Sequence, residues 1–132
     1  MALSLSTAIR NGMLDQITSN VGANARLRIY SGTRPANPAA AITGTLLADL
    51  ACNATFAPAA SGGVLTLNAI TSATASATGT ASHFRIWNSG ATVAMIDGDV
   101  AVSASDLNFS TVAFSSGATI SISSLTISIG NA

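Results

Sequence analysis

The sequence contains neither lysine nor glutamate. Its five cations are Arg10, Arg26, Arg28, Arg34 and Arg85, and its five anions are Asp15, Asp49, Asp97, Asp99 and Asp106. Charged residues make up only 8% of the 132 positions and the formal net charge is zero, where an ordinary globular chain is about a quarter charged. Five scattered arginines leave no electrostatic footprint for a phosphate backbone or an anionic lipid surface, so neither nucleic acid nor membrane is an expected partner. One cysteine, Cys52, excludes an internal disulfide and a cysteine-rich zinc site; one histidine, His83, excludes a multi-histidine metal centre. The uncharged stretch between Asp49 and Arg85 is broken by Asn53, Pro58, Ser61, Gly62 and Gly63, which argues against a membrane span. Met1–Ser6 has no basic start and no long apolar run, so no signal peptide is expected. The chain is expected to be soluble and made in the cytoplasm, with Cys52 a reduced, small buried side chain.

What fills the sequence instead is Ala, Ser and Thr, about 45% of positions. The length predicts one domain over 1–132. Ser6 or Thr7 caps a helix over about 6–20, in which Ile9, Met13, Ile17 and Val21 recur every four residues with Leu14 beside them, and Gly22 ends it. From there to about 129 the period is two. Leu27 and Ile29 alternate with Arg26, Arg28 and Tyr30, and Phe84 and Ile86 with His83, Arg85 and Trp87. Thr45–Ala51 and Val64–Ile70 are short apolar runs, Asn88-Ser89-Gly90 reads as a hairpin turn into Thr92–Ile96, and Ser115-Ser116-Gly117 reads as a turn. Thr119–Ile129 is the longest strand candidate; its pattern changes phase at Ser123-Ser124, which predicts a bulge or a change of sheet. The predicted fold is mainly β: a single β-sandwich or jelly-roll-like domain with one N-terminal α-helix.

Chemistry is sparse. Asp97-Gly98-Asp99 with Asp106 and Asn108 is the one cluster of hard oxygen ligands, and it lacks the ligand number and spacing of a calcium loop. It reads as a solvated strand edge or turn, with Gly98 marking a bulge or a close approach. His83 has no Gly-x-Ser-x-Gly elbow to serve. No catalytic residue, cofactor or metal is therefore expected, and the chain is not expected to be an enzyme. Arg and Trp are the side chains that most often anchor interfaces. Arg26, Arg28, Arg34, Arg85 and Trp87 are accordingly the candidate interface residues, the arginines pairing with Asp on a partner chain. Long uncharged strands are normally protected by charge, especially Lys. Their presence here suggests edges covered by neighbours, as in a repetitive homo-oligomeric assembly.

Three segments, Leu27-Arg28-Ile29-Tyr30-Ser31-Gly32-Thr33-Arg34-Pro35, Ile42-Thr43-Gly44-Thr45-Leu46-Leu47-Ala48 and Phe84-Arg85-Ile86-Trp87-Asn88-Ser89-Gly90, resemble a family of small virion structural proteins of tailed bacteriophages. The closing Asp106-Leu107-Asn108-Phe109 and Ala118-Thr119-Ile120-Ser121-Ile122 carry the same likeness. In size and expected fold the chain is similar to head decoration (cement) proteins. The resemblance implies a protein on the outer head surface of the virion that binds the major capsid protein and stabilises the lattice. The segment before the helix would reach an adjacent subunit. The alternative reading is a tail component, either a tube subunit with Ala51–Ser61 as its flexible loop or a fibre part, with glycan binding as a fibre-tip function.

Overall fold

A computed structural model of the chain describes residues 3–130. The helix α1 (Thr7–Val21) starts where the Ser6 hydroxyl accepts the Ile9 amide at 3.3 Å. It stops at Gly22, whose φ of 77° suits a residue without Cβ. The four-residue stripe does not form the packing face. Leu14 and Val21 are buried and Ile17 is partly buried, but Ile9 and Met13 are about half exposed. The cause is a polar flank. Asn11 Oδ1 accepts the Gly63 amide at 2.9 Å, Asp15 Oδ1 accepts the Ala60 amide at 2.7 Å, and Arg10 donates to the Ile129 carbonyl at 3.1 Å. At 100° per residue these three side chains surround Leu14, so anchoring them rolls Ile9 and Met13 towards solvent.

Eleven short strands follow: β1 (Arg26–Tyr30), β2 (Leu46–Ala51), β3 (Val64–Thr66), β4 (Ala73–Thr74), β5 (Gly79–Thr80), β6 (His83–Trp87), β7 (Ala94–Ala101), β8 (Leu107–Asn108), β9 (Ala113–Phe114), β10 (Thr119–Ile120) and β11 (Thr126–Ser128). Five make one sheet in the order β2-β1-β6-β7-β8, antiparallel except for the β7–β8 pair; the rest form the two-stranded ladders β10–β4, β11–β3 and β5–β9. The longest strand is thus β7, not 119–129. That region instead splits between β10, which pairs with β4, and β11, which pairs with β3, so the phase change at Ser123-Ser124 marks a change of partner. The expected turns form. Asn88 Oδ1 caps the amides of Thr92 and Val93, and Ser115 accepts the Ala118 amide beside Gly117, at φ 90°.

Alternation gives the large sheet two faces. Leu27, Ile29, Leu50, Phe84, Ile86 and Val100 lie on the inner face, in one buried cluster with Leu14, Leu65, Phe114, Ile120 and Leu125. Gly98 is where the inner face is tightest. A Cβ there would run into the Phe84 ring and come within 3.2 Å of the Asp106 Cβ, so its role is the close approach, while the register breaks fall at Ile29/Tyr30 and Ile86/Trp87. The chain is therefore mainly β with one N-terminal helix. Leu14→Ala should cost about 2–5 kcal/mol, and Met13→Ala within about 0.5 kcal/mol of nothing. Urea unfolding of both variants checks this; equal losses would show that the helix packs through the four-residue stripe after all.

Candidate functional site

The outer face of the sheet gathers most of the chain's charge. The registers Asp49↔Arg28, Arg28↔Arg85 and Arg85↔Asp97 line up one row across β2, β1, β6 and β7. Arg28 and Arg85, directly opposed, would repel; each is relieved by the aspartate on its far side. Arg26 and Arg28 share Asp49 at 2.9 and 3.1 Å, and Arg34 meets Asp99 at 3.1 Å. In the single chain these arginines therefore already have aspartate partners; for Arg26 and Arg28 the reason is the strand register, which sets Asp49 against Arg28. At roughly a third exposed, such pairs are each worth ~0–1 kcal/mol.

Arg85 behaves differently. It is 1% exposed, so it is not a surface anchor of this chain, and the expectation that it lies at an interface is corrected by its burial. Its Nε and Nη2 fork onto Asp97 at 2.5 and 2.8 Å; Nη1 donates to the Ala40 carbonyl at 2.8 Å and Nη2 to the Asn37 carbonyl at 3.1 Å. The side chain of Asp97 is 1% exposed, so the expectation of a solvated carboxylate edge fails there too. The Asp97 hydrogen bonds hold the guanidinium above its ordinary pKa. What covers both groups is a strap, residues 31–45, folded back over the sheet. Its ends touch: Ser31 donates to the Thr45 carbonyl at 3.0 Å, and a Cβ at Gly44 would overlap the Ser31 carbonyl, so only glycine fits. Ser82 Oγ donates to the Gly32 carbonyl at 2.5 Å and Arg34 reaches Asp99 beyond it. The strap is an Ω-like loop held by Arg85.

Between the strap and the β6–β7 hairpin lies a cleft of about 830 Å³. Tyr30 and Trp87 line it with Pro38, Ile42 and Val93, and Arg85 borders it. Trp87 Nε1 donates to the Tyr30 hydroxyl at 3.1 Å, and the Arg85 guanidinium lies 5.4 Å from the Trp87 ring centre. The polar groups are largely engaged: Asn37 Oδ1 accepts the Ala39 and Ala40 amides, and Asn88 binds Thr92 Oγ1. Such a surface suits an apolar partner. Of the candidate residues, Trp87 stands in this cleft, Arg26, Arg28 and Arg34 are about a third exposed in ion pairs, and Arg85 is the buried support. Tyr30 was legible as an outer-face residue from its alternation with Arg26 and Arg28. The strap carbonyls carried no sequence signal, because any residue type supplies one.

His83 is sealed beneath the strap, its ring stacked on Tyr30 at 5.4 Å. Ser82 Oγ, which reaches the Gly32 and Tyr30 carbonyls, lies 3.0 Å from Nδ1, and among the described residues the buried Nε2 has no hydrogen-bond partner. Burial lowers the His83 pKa and Arg85 and Arg34 push the same way, while Asp97 and Asp99 oppose them. Cys52 is buried and its thiol is pushed up to about 11, an unreactive environment. Among the described residues no three His, Cys, Asp or Glu side chains gather as metal ligands, and no helix is long and apolar enough to cross a membrane. No protein-family model matches the sequence, and no curated protein or solved structure matches it either.

Two outcomes follow from the buried groups. Asp97→Asn leaves Arg85 without its counter-charge and should cost about 3–5 kcal/mol, against ~0–1 kcal/mol for Asp49→Asn; equal costs in urea unfolding would contradict the burial argument. A histidine held neutral in the fold takes its proton first in the unfolded chain. Its share of stability is therefore complete above an unfolded pKa of about 6.5 and is lost as pH falls below it. His83→Phe should flatten the wild-type loss of stability between about pH 7 and 5; the same slope in both proteins would count against it.

Proposed function

We propose that this chain is a capsid decoration (cement) protein of a tailed bacteriophage, one that binds the outer head surface and bridges neighbouring major capsid subunits. Its role is mechanical, with no reaction to catalyse. Its two-faced sheet and facing short ladders are read as a β-sandwich or jelly-roll-like scaffold. The observation that carries the reading is the Trp87 cleft: a half-buried tryptophan in an apolar recess, on a face whose charges are neutralised within the chain. Aromatic side chains in such recesses are the usual energetic centres of protein interfaces. The phage assignment itself rests on the resemblance of the strap and hairpin segments to virion structural proteins. Glycan binding, the fibre-tip alternative, asks for planar polar partners beside the aromatic platform. Here the Asn37 and Arg85 side chains are already hydrogen-bonded, so the cleft favours a protein surface.

Purified expanded heads that lack this chain test the proposal. The protein should bind them saturably, with an affinity that changes little from low to high salt, since few free charges are available to be screened. Trp87→Ala should weaken binding at least about tenfold, the loss typical of a central interface aromatic, with the far-UV spectrum unchanged. Binding to tails or to bacterial surface polysaccharide, and none to heads, would replace the proposal with the tail or fibre reading.

A further inference from the structure

His83 lies where the strap leaves the sheet. It is fully buried on the outer face, its ring stacked on Tyr30 of β1, and the adjoining Ser82 Oγ holds the Gly32 carbonyl at the foot of the strap. Nδ1 has Ser82 Oγ at 3.0 Å, but Nε2 has no partner among the described residues. A neutral imidazole carries one N–H and an imidazolium two, so the charged ring needs an acceptor at both nitrogens, whichever tautomer precedes it. The closed strap offers none at Nε2. The charges around the ring point the same way. They are Arg85 on β6, Asp97 and Asp99 on β7, and Arg34 on the strap. Two cations balance two anions while His83 is neutral; a proton on His83 makes it three against two, in a place closed to water.

One exchange of partners relieves both. The β6–β7 register sets His83 directly opposite Asp99, and Val100 donates to the Ser82 carbonyl, which makes this a non-hydrogen-bonded pair, the kind whose side chains stand closer. Asp99 is engaged by Arg34 at 3.1 Å, through side chains 58% and 38% exposed, and exposed pairs of this kind are weak. Arg34 is also the one cation that the strap carries. We propose that His83 is a proton-operated latch: once protonated it takes Asp99 from Arg34, and the strap lifts off the outer face. Lifting carries Arg34 away, restores two cations to two anions and admits water to Nε2. The Arg85–Asp97 fork stays on the sheet, and water replaces the Asn37 and Ala40 carbonyls that Arg85 gives up. Burial lowers the His83 pKa in the closed form. Closure is therefore complete above the ordinary histidine pKa of about 6.5 and weakens by up to about tenfold per pH unit below it, until the lowered pKa is reached. Because residues 37–42 of the strap wall the Trp87 cleft, the same proton unmakes that cleft. The latch concerns the strap alone and does not depend on the capsid proposal.

The test uses the full chain, whose single histidine makes the ring titration unambiguous by NMR. Hydrogen exchange, normalised to the intrinsic rate at each pH, follows the Ser31, Ala40 and Thr45 amides, which are bonded within the strap. The range stops at pH 5, above the ordinary aspartate pKa of about 3.9. Protection of these amides should fall at least about fivefold between pH 7.5 and 5. It should also stay below that of the β1 and β6 amides, so that the strap opens without the sheet. His83→Gln should abolish the pH dependence. Arg34→Met removes a cation and frees Asp99, so it should raise the His83 titration midpoint by about half a unit or more, a readout that stands even if His83→Gln fails to fold. Strap protection that is flat with pH in the wild type would overturn the proposal. So would a pH dependence that survives His83→Gln, strap and sheet amides that exchange together, or a midpoint unmoved by Arg34→Met.

Discussion

The buried ion pair between Arg85 and Asp97 is the constraint on which the outer half of the molecule depends. Withdrawing two charges from water costs several kcal/mol per ion, and their attraction offsets that only with full hydrogen bonding. Arg85 meets the condition: four of its N–H groups are used, two on Asp97 and one each on the Asn37 and Ala40 carbonyls. Because two acceptors are backbone carbonyls of the strap, satisfying the charge and closing the loop are one event. Tyr30, His83 and the floor of the cleft are covered as a consequence, and the Trp87 ring is held in the cleft beside the guanidinium.

The same economy of charge shapes the rest of the surface. Four of the five arginines and three of the five aspartates sit on or beside the outer face of one sheet, and they pair with one another. Elsewhere the chain presents Ala, Ser and Thr, with Ile9 and Met13 exposed on the helix. The outer edge of β2 is sealed by backbone rather than by charge: Ser76 donates to the Leu47 carbonyl and Thr71 to the Ala51 carbonyl. What this distribution leaves beside the ion pairs is the apolar Trp87 cleft, and the capsid proposal rests on its shape rather than on charge.

Much of the architecture was legible in local signals. The Ser6 and Gly22 caps bounded the helix, the Asn88-Ser89-Gly90 turn fixed the β6–β7 hairpin, and the phase change at Ser123-Ser124 marked the move from one ladder to another. What failed were inferences from apolar spacing alone. Ile9 and Met13 shared a stripe with Val21, yet the long-range bonds of Asn11, Asp15 and Arg10 decided the helix rotation. At the site, Trp87 and the arginines were visible as residue types that make contacts. Which contacts they make depends on strand register and on the path of the strap, and neither is written in the spacing of residues along the chain. Arg85 shows the difference: alternation placed it on the outer face, and only the strap buries it.

The central claim, that Arg85 and Asp97 hold the strap shut, is tested most directly by hydrogen exchange on Arg85→Met/Asp97→Leu. Replacing a buried ion pair by apolar side chains of similar size leaves global stability nearly unchanged in many proteins, so the sheet should stay protected. The account predicts that amides between Gly32 and Thr45 lose their protection while those of β1 and β6 keep theirs. A strap as protected in the double variant as in the wild type would show that packing alone closes it, and would contradict the account.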